Sequence, residues 1–241
     1  LEFALVRFAL DRLTKEGFIP IVPPVIIREE MMAAMGYLDS AGDREERYLL
    51  EKDGLVFVGT SEQSLGPMHA DEILDEDRLP LRYAGFSTCF RREAGSYGKD
   101  TKGILRVHQF DKVEMFIFST PERSKAEHEL MLKIEEELMQ ALKLPYRVAQ
   151  LATGDLAQPS AVTFDIEAWL PGQNDGNGQY RETHSSSNTT DFQARRLNVR
   201  VRRASGEVGY THLLNGTAFA IGRTLIAIIE NCQKKDGSIA V

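Results

Sequence analysis

Charged side chains alternate with apolar ones over residues 89–118, which makes this stretch the best suited to chemistry. Its pattern predicts two β-strands joined by a Gly-rich, charged loop, and side chains two residues apart share one face of a strand. Charged groups on a sheet inside a domain are costly unless they are paired or bound to a ligand. The shared face carries these residues: Cys89, Arg91, Glu93, Arg106, His108, Phe110, Lys112, Glu114 and Phe116.

This face has the chemistry for an anionic ligand that contains a ring. Arg91 and Arg106 suit phosphate oxygens, because a guanidinium binds them in a bidentate manner. Phe110 offers a surface for a stacked base, and Glu114 offers a carboxylate for an ammonium group. The loop over residues 94–105 is about twice the usual hairpin length, and long loops are often lids or binding loops. A salt-bridged surface hairpin is the alternative, since structural ion pairs are common.

Other helices and strands must hold this hairpin in place. The spacing of apolar residues predicts helices over residues 2–16, 28–36, 64–74, 121–144 and 218–232. Alternation and turn signals predict strands over residues 18–24, 48–50, 55–59, 146–151, 163–169 and 210–215.

Some details of these elements are predicted as well. Strand parity points Thr60 and Glu62 in the same direction. Gly216 is expected to end its strand, and the last helix, apolar on more than one face, is expected to be largely buried around Arg223. The acidic run 135–137 is expected to lie on a solvated helix face.

Composition limits the class of protein. The chain has 241 residues, 42 % hydrophobic and 27 % charged, which is enough for one sizeable core. No apolar run is long enough to cross a membrane, and the net charge of −7 gives no overall basic footprint for nucleic acid. Cys89 and Cys232 form neither a disulfide framework nor a zinc pattern, which predicts a reducing, cytoplasmic environment. Because the first residue is Leu, we expect a fragment of a longer protein.

Several segments together resemble one family. The segment FRREAG, followed after the loop by RVHQFDKVEMF, resembles motif 2 of class II aminoacyl-tRNA synthetases, in the form found in seryl-tRNA synthetases. Residues 181–196 resemble that family's Glu-x-Ser-Ser-Cys-Ser-Asn segment and the Thr-Asp-Phe-Gln-Ala-Arg-Arg segment after it. The segment LNGTAFAIGRTLIAIIEN resembles motif 3, and residues 2–24 resemble motif 1. The resemblance covers essentially the whole chain, with the motifs in the family's order.

The resemblance implies an α+β fold, in which an antiparallel β-sheet is flanked by helices, and a homodimer formed through motif 1. It implies that L-serine and ATP react to seryl-adenylate and pyrophosphate, with Mg²⁺ bound alongside ATP, and that serine then passes to tRNA(Ser). No protein nucleophile is needed, so catalysis should depend on alignment and charge stabilisation. Residues 1–241 are expected to be one catalytic domain without the family's N-terminal coiled-coil arm, which grips tRNA.

The resemblance also implies roles for individual residues. The expected catalytic residues are Arg91, Glu182 and Arg223. The expected serine-binding residues are Thr60, Glu62, Arg91, Glu114, Asn215 and Thr217. The expected ATP-binding residues, of which Glu182 and Ser185 also hold Mg²⁺, are Arg91, Glu93, Arg106, Phe110, Glu182, Ser185 and Arg223.

Three residues depart from the family's pattern. His184 stands where Ser is usual, Ser186 where Cys is usual, and Ala157 where Gly is expected. A hydrogen-bonded loop histidine is predicted at position 184 rather than a zinc ligand or a base, because no cysteine or second histidine lies nearby.

Two further functions stay open. One is an armless relative that activates an amino acid and loads it onto a carrier protein. The other is a non-catalytic, synthetase-like partner protein. The second is disfavoured, because such proteins usually lose the ATP-contacting residues that this chain keeps.

Overall fold

The structure is a computed structural model that describes residues 1–94, 100 and 103–241. Its helices are α1 (Glu2–Lys15), α2 (Glu29–Ala34), α3 (Ala41–Glu45), α4 (Glu62–Leu65), α5 (Ser124–Ala141), α6 (Phe192–Leu197) and α7 (Ile221–Cys232). Its strands are β1 (Ile19–Ile21), β2 (Ile26–Arg28), β3 (Leu49–Leu50), β4 (Leu55–Phe57), β5 (Ile73–Asp75), β6 (Leu81–Phe90), β7 (Gln109–Ser119), β8 (Tyr146–Gln150), β9 (Val162–Leu170), β10 (Gln179–Asn188), β11 (Arg200–Arg202), β12 (Val208–Tyr210) and β13 (His212–Ala220). Most of the predicted lid loop over residues 94–105 lies outside the described residues.

A seven-stranded sheet organises the described residues, with the order β1-β6-β7-β13-β10-β9-β8. All neighbouring strands in it are antiparallel except β1 and β6. The long hairpin pair β6 and β7 lies second and third in this order, and the alternation over residues 109–118 predicts β7. The α+β class and the antiparallel sheet with flanking helices are therefore confirmed.

Apolar side chains cover the sheet from two directions. The largest core cluster lies on one face, where α1, α5 and α7 pack through residues such as Leu13, Ile134 and Ile228. A second cluster lies against part of the other face, where Leu65 and Ala194 from α4 and α6 meet Phe116 of the sheet. The rest of that second face is left open, and the candidate site lies there. Among the described residues, no helix combines the length and apolar character needed to span a membrane.

Gly216 does not end its strand, contrary to the prediction. Strand β13 continues through it to Ala220, with Gly216 opposite Met115 on β7 and opposite Ser186 on β10. A Cβ added at this glycine would lie 2.5 Å from the Met131 Cε atom of α5. The Met131 side chain is flexible and could move aside, but the Glu135 Oε1 atom of α5 would lie only 3.1 Å away, so the glycine makes room for α5 close to the sheet.

The last helix begins later than predicted. It starts at Ile221, and its buried residues Ile221, Thr224, Ala227 and Ile228 recur at the spacing of a single helix face. Ile229 is 37 % exposed. Leu225 and Ile226 are partly buried against the core, so the prediction of a largely buried helix holds for most of α7, with Ile229 as the exception.

The segment from residue 60 to 75 also differs from its prediction. Glu62 begins the short helix α4, so strand parity does not apply to Thr60 and Glu62. A 3-10 turn follows over Gly66–His69, and residues 73–75 form a strand that pairs in parallel with β11. The predicted helix over residues 64–74 is wrong in its second half, because pairing with β11 overrides local propensity.

The acidic run on α5 is only partly solvated. Glu135 is 0 % exposed, whereas Glu137 is half-buried and pairs with Arg12. Glu135 shares the buried face of α5 with Met131 and Leu138, four residues before it and three after it. The expectation of a solvated face is therefore wrong for Glu135.

Candidate active site

A cavity of about 500 Å³ opens on the sheet face opposite α1, α5 and α7. This volume falls in the usual range for small-molecule sites. Nearly all the residues predicted for the site line it: Thr60, Glu62, Arg91, Glu93, Arg106, Glu114, Glu182, Ser185, Asn215, Thr217 and Arg223. The remaining one, Phe110, lines a smaller adjoining recess of about 60 Å³ that shares Arg91, Glu93 and Arg106 with the cavity.

Arg91 stands just beyond the end of its strand. Strand β6 ends at Phe90, and the backbone N–H of Arg91 donates to the His108 carbonyl at 3.0 Å. Its side-chain Nε donates to the carbonyl of Gly59 at 3.1 Å. The guanidinium carbon lies 5.3 Å from the centre of the Phe110 ring, within cation–π range. These contacts fix the stem of Arg91 and direct its charge into the cavity.

Strand parity fails for the residues that precede β7. This strand begins at Gln109, so Arg106 and His108 are not held on its face. His108 is exposed, does not line the cavity, and has its Nδ1 atom 3.0 Å from the Tyr48 hydroxyl. Arg106 reaches the cavity, where it forms an ion pair with Glu93. Glu93 has a left-handed backbone, with φ of 55°, which turns its side chain back toward Arg106.

Buried carboxylates gather at one end of the cavity, which we call the carboxylate end and define by Glu62 and Glu114. The Lys112 Nζ atom lies 2.5 Å from Glu114 Oε2, and the Thr217 hydroxyl donates to the same oxygen at 3.4 Å. The Tyr37 hydroxyl donates to Glu62. Burial, together with the charge of Glu114, raises the pKa of Glu62 to about 7. This end is suited to hold a small ligand that carries a cation and hydrogen-bonding groups.

Backbone turns place the remaining groups of the carboxylate end. The Gln63 side chain accepts from the backbone N–H of Gly59 at 2.8 Å and so holds the turn that leads to Thr60. The hydroxyl of Thr60 is buried and has no hydrogen-bond partner among the described residues. Asn215 lies beside Thr217 on β13, and both are buried. An unpartnered hydroxyl at this place fits a polar ligand.

The other end of the cavity lies where α7 begins, and we call it the arginine end, defined by Arg106, Glu182 and Arg223. Arg223 is in the first turn of α7, and its Nη1 atom donates to the backbone carbonyl of Glu182 at 2.8 Å. It also lies 3.4 Å from the Glu182 carboxylate. The Arg223 side chain is 23 % exposed, so the prediction of a guanidinium buried in an apolar helix is wrong.

Hard oxygen donors line the wall beside Glu182. Ser185 on β10 lies opposite Asp165 on β9, and Ser185 and Glu182 both line the cavity. Burial, with a smaller contribution from the charge of Glu182, raises the pKa of Asp165 to about 6, and its Oδ1 atom is buried without a partner. Negative charge is therefore not fully balanced here, which fits a divalent cation held jointly with a polyanionic ligand.

His184 is a buried strand residue rather than a loop histidine. It lies on β10, is 0 % exposed, and its Nδ1 atom is 2.9 Å from the Thr183 hydroxyl. Burial lowers its pKa to about 4, so the ring is neutral. Among the described residues, no group of three or more His, Cys, Asp and Glu side chains could hold a metal ion. Ala157, another departure, lines the cavity.

Arg47 and Tyr37 also line the cavity, and the sequence analysis missed both. Tyr37 follows helix α2, and Arg47 lies in the polar segment before β3. Neither segment shows a periodic pattern that would assign its side chains to a face. The one signal was an arginine directly after the largely acidic segment 43–46, and Arg44 within that segment makes this signal weak.

A comparison with known protein families identifies the family to which the chain belongs. The family model described as "tRNA synthetase class II core domain (G, H, P, S and T)" matches residues 48–232. The chain belongs to the class II tRNA synthetase core family. The synthetase motifs inferred from the sequence thus correspond to β6 with β7, to β10, and to β13 with α7 in this synthetase core.

Individual relatives are similar to the chain over its whole length. The chain is 53 % identical over 241 residues to the serine–tRNA ligase of Acidothermus cellulolyticus, an alignment that covers 100 % of the chain and 56 % of that protein. The chain thus spans about half the length of the curated relatives it matches.

Solved structures of seryl-tRNA synthetases are similar to the chain as well. The seryl-tRNA synthetase of Pyrococcus horikoshii complexed with ATP is 49 % identical, with a TM-score of 0.93, and the match covers 100 % of this synthetase core and 53 % of that chain. The cytoplasmic serine–tRNA ligase of Naegleria fowleri in complex with AMP is 40 % identical, with a TM-score of 0.90, and the match covers 100 % and 56 % of the two chains.

Proposed function

We propose that this synthetase core activates L-serine with ATP to seryl-adenylate and pyrophosphate, as the catalytic part of a serine–tRNA ligase. One observation carries the proposal: a single cavity joins the buried carboxylates Glu62 and Glu114 at one end to Arg106 and Arg223 at the other, with Arg91 between them. An ammonium-bearing amino acid fits the carboxylate end. A nucleoside triphosphate fits the arginine end, with its base in the recess beside Phe110.

Serine is the amino acid that best suits the carboxylate end. Glu62 and Glu114 accept from its ammonium group and hydroxyl, while Asn215, Thr217 and Thr60 complete the set of hydrogen bonds. A site built to hydrogen-bond a hydroxyl rejects an analogue without it by roughly 10⁴ to 10⁵ in favourable cases, since buried polar groups then lose their partners.

Catalysis depends on alignment and charge. A carboxylate oxygen of serine attacks the α-phosphorus, a new P–O bond forms, and the bond to the pyrophosphate oxygen breaks with its electrons leaving on pyrophosphate. Arg91 contacts both the serine carboxylate and the α-phosphate, which brings two like-charged reactants together. Arg106 and Arg223 hold the outer phosphates, Glu93 contacts the adenine side, and no protein nucleophile takes part.

The oxygen donors beside α7 fit Mg²⁺ bound with ATP. Glu182 and Ser185 would supply its protein ligands, and the unbalanced charge at Asp165 favours a cation nearby. Bound there with the phosphates, Mg²⁺ supplies charge neutralisation on the polyphosphate chain.

The wider setting is part of the same proposal. Apolar side chains on α1 and beside β1 stay exposed, Phe3 and Val22 each at 83 %, which suits burial in a homodimer. Free cysteines, Cys89 and Cys232, suit the reducing cytoplasm. Transfer of serine to tRNA(Ser) is proposed for the whole protein, by analogy with the serine–tRNA ligases that the chain matches.

Pyrophosphate exchange into ATP is the direct test. Serine should drive exchange with the 241-residue chain, whereas threonine, alanine and glycine should drive it weakly or not at all. Exchange driven by another of these amino acids would point to a relative that loads a different acceptor. No exchange from a folded chain would contradict the proposal.

Arg91→Ala tests the residue placed between the two substrates. Loss of a charged group that stabilises the transition state typically costs about 100-fold or more in rate, so exchange should fall at least that far. Arg92→Ala is the matched control, because Arg92 is exposed and contacts the Tyr48 ring instead. Near-normal exchange by Arg91→Ala would overturn the assignment.

A further inference from the structure

A fourth arginine, Arg47, lines the cavity, and nothing in the proposed reaction uses it. It lies between α3 and β3 and lines the cavity together with Arg91 and Tyr37. Its guanidinium carbon is 5.5 Å from the centre of the Tyr37 ring. The Tyr37 hydroxyl in turn donates to Glu62. Arg47 is therefore positioned by stacking on a residue of the carboxylate end.

Arg47 lacks the carboxylate partner that Arg44, Arg106 and Arg223 have. Within the part of the chain that the structure describes, its Nε atom is buried without a hydrogen-bond partner, and it forms no ion pair. Nearby, Arg44 pairs with Glu29 at 3.1 Å. An arginine with a desolvated nitrogen and no partner is costly unless a ligand supplies the anion.

Like charge adds to this cost. Burial lowers the pKa of Arg47, and the positive charge of Arg91 lowers it further, while Tyr37, Asp43 and Glu46 act in the opposite direction. Two guanidinium groups therefore face one space, and the repulsion between them exceeds the effect of any single nearby carboxylate. An anion placed between two such groups relieves the repulsion and gains two charge-assisted contacts.

The position of Arg47 selects which anion this is. Arg91, Arg106 and Arg223 all line the recess beside Phe110, whereas Arg47 lines only the larger cavity. Arg47 also stacks on Tyr37, whose hydroxyl donates to Glu62, and this contact places Arg47 at the carboxylate end. At that end, the anionic group of the proposed substrates is the amino acid's own carboxylate.

We propose that Arg47 is a second ligand of the substrate carboxylate, which binds the free amino acid together with Arg91 before activation. This inference rests on the proposed function. Arg47 then contributes mainly to amino-acid affinity, because the carboxylate it contacts is present in the ground state as well as in the transition state.

Arg47→Met tests the inference by removing the charge while keeping the stem. A hydrogen bond to a charged group contributes roughly tenfold to a hundredfold in binding, so the KM for serine in pyrophosphate exchange should rise by about that factor. The KM for ATP should stay within about twofold, and kcat should change much less than the KM for serine. Calorimetric titration of serine into the variant should show the same loss of affinity.

A carboxylate-free probe separates binding from structure. The ethanolamine molecule carries the ammonium and hydroxyl of serine but no carboxylate, so its inhibition constant should be equal for wild type and Arg47→Met. Arg47→Lys keeps the charge without the planar fork and should fall between the two. Arg44→Met, on the same segment but paired with Glu29, should leave every constant unchanged.

The outcomes are distinguishable. A wild-type chain that binds and activates no amino acid overturns the proposed function and this inference together. Normal wild-type exchange with an unchanged serine KM in Arg47→Met overturns the inference alone. A higher KM for ATP or pyrophosphate with an unchanged KM for serine makes Arg47 a phosphate ligand and also overturns it. An equal loss of ethanolamine and serine binding shows a merely structural role.

Discussion

Each face of the central sheet contains a buried glutamate, but only the glutamate on the cavity face has a charged partner. On the cavity face, Glu114 is 2 % exposed and lies 2.5 Å from the Lys112 ammonium. On the helix face, Glu135 is 0 % exposed, and neither of its oxygens has a hydrogen-bond partner among the described residues. Strand β13 lies between the two glutamates. Its Thr217 side chain contacts Glu114 on the cavity face, and its Gly216 lies next to Glu135 on the helix face.

The difference shows where the fold maintains a charge. Burial raises the pKa of Glu135 well above its usual value, and the charge of Glu114 adds to the rise. Asp165 and Glu136 act in the same direction. Glu135 is thus kept as a neutral acid, whereas Glu114 has a cation beside it. The buried carboxylate that has a counter-charge therefore lies on the face where we propose that substrate binds.

Glu114→Gln should give the largest effect on stability. It removes one partner of a buried ion pair and leaves Lys112, which is 5 % exposed, without its ion-pair partner. Such a change typically costs about 3–5 kcal/mol of unfolding free energy. Urea unfolding measures it, and Lys112→Met combined with Glu114→Leu should recover most of the loss. A cost below about 1 kcal/mol would show that the pair is not needed to balance the charge.

Glu135→Gln should give a smaller effect whose sign depends on pH. The folded chain keeps a proton on Glu135 above pH 4.5, where the unfolded chain loses it, so wild-type stability falls as pH rises toward the raised pKa. The slope from one such group is at most about 1.4 kcal/mol per pH unit. Gln cannot ionise, so the variant should match wild type near pH 5 and become increasingly more stable than wild type as the pH rises to 8.

Unfolding curves across this pH range provide the check for Glu135. Glu129→Gln is the matched control, because Glu129 lies on the same helix with 67 % of its side chain exposed, and its difference from wild type should not vary with pH. A difference between Glu135→Gln and wild type that stays constant from pH 5 to 8 would show that Glu135 is already ionised in the folded chain.

The sequence was sufficient for elements with a strong period and for residues inside motifs. Alternation over residues 109–118 predicts β7, and the apolar stripe between two prolines predicts α5. The rotation of α5 was not predictable in the same way. Its acidic run contains Glu135, which lies on the buried stripe. Glu135 reaches the sheet because α5 packs closely at Gly216, and this packing is a tertiary contact that the local pattern does not reveal.

The residues of the candidate site divide in the same way, into those that a periodic pattern predicts and those that depend on tertiary contacts. Arg91 and Glu114 were found because both belong to one periodic hairpin. Arg47 was missed because its place depends on stacking with Tyr37, a residue far from that hairpin in sequence. Parity also failed for His108, because the strand begins one residue later, at Gln109, and a side chain before a strand is not bound to its face.

Two neighbouring serines on β10 provide the finest comparison between the faces. Ser187 lines the cavity, and its hydroxyl is 2.7 Å from that of Thr163. Ser186 lies on the helix face, and its buried hydroxyl has no partner among the described residues. Ser187→Ala should therefore cost about 1 kcal/mol, and Ser186→Ala less than about 0.5 kcal/mol, by urea unfolding at pH 8. An equal cost at both positions would mean that Ser186 is hydrogen-bonded in solution. Glu135 Oε1 and Ser186 Cβ both lie within 3.2 Å of a Cβ placed at Gly216, so the two residues would then form a buried acid–hydroxyl pair, and the contrast between the faces would lie in charge alone.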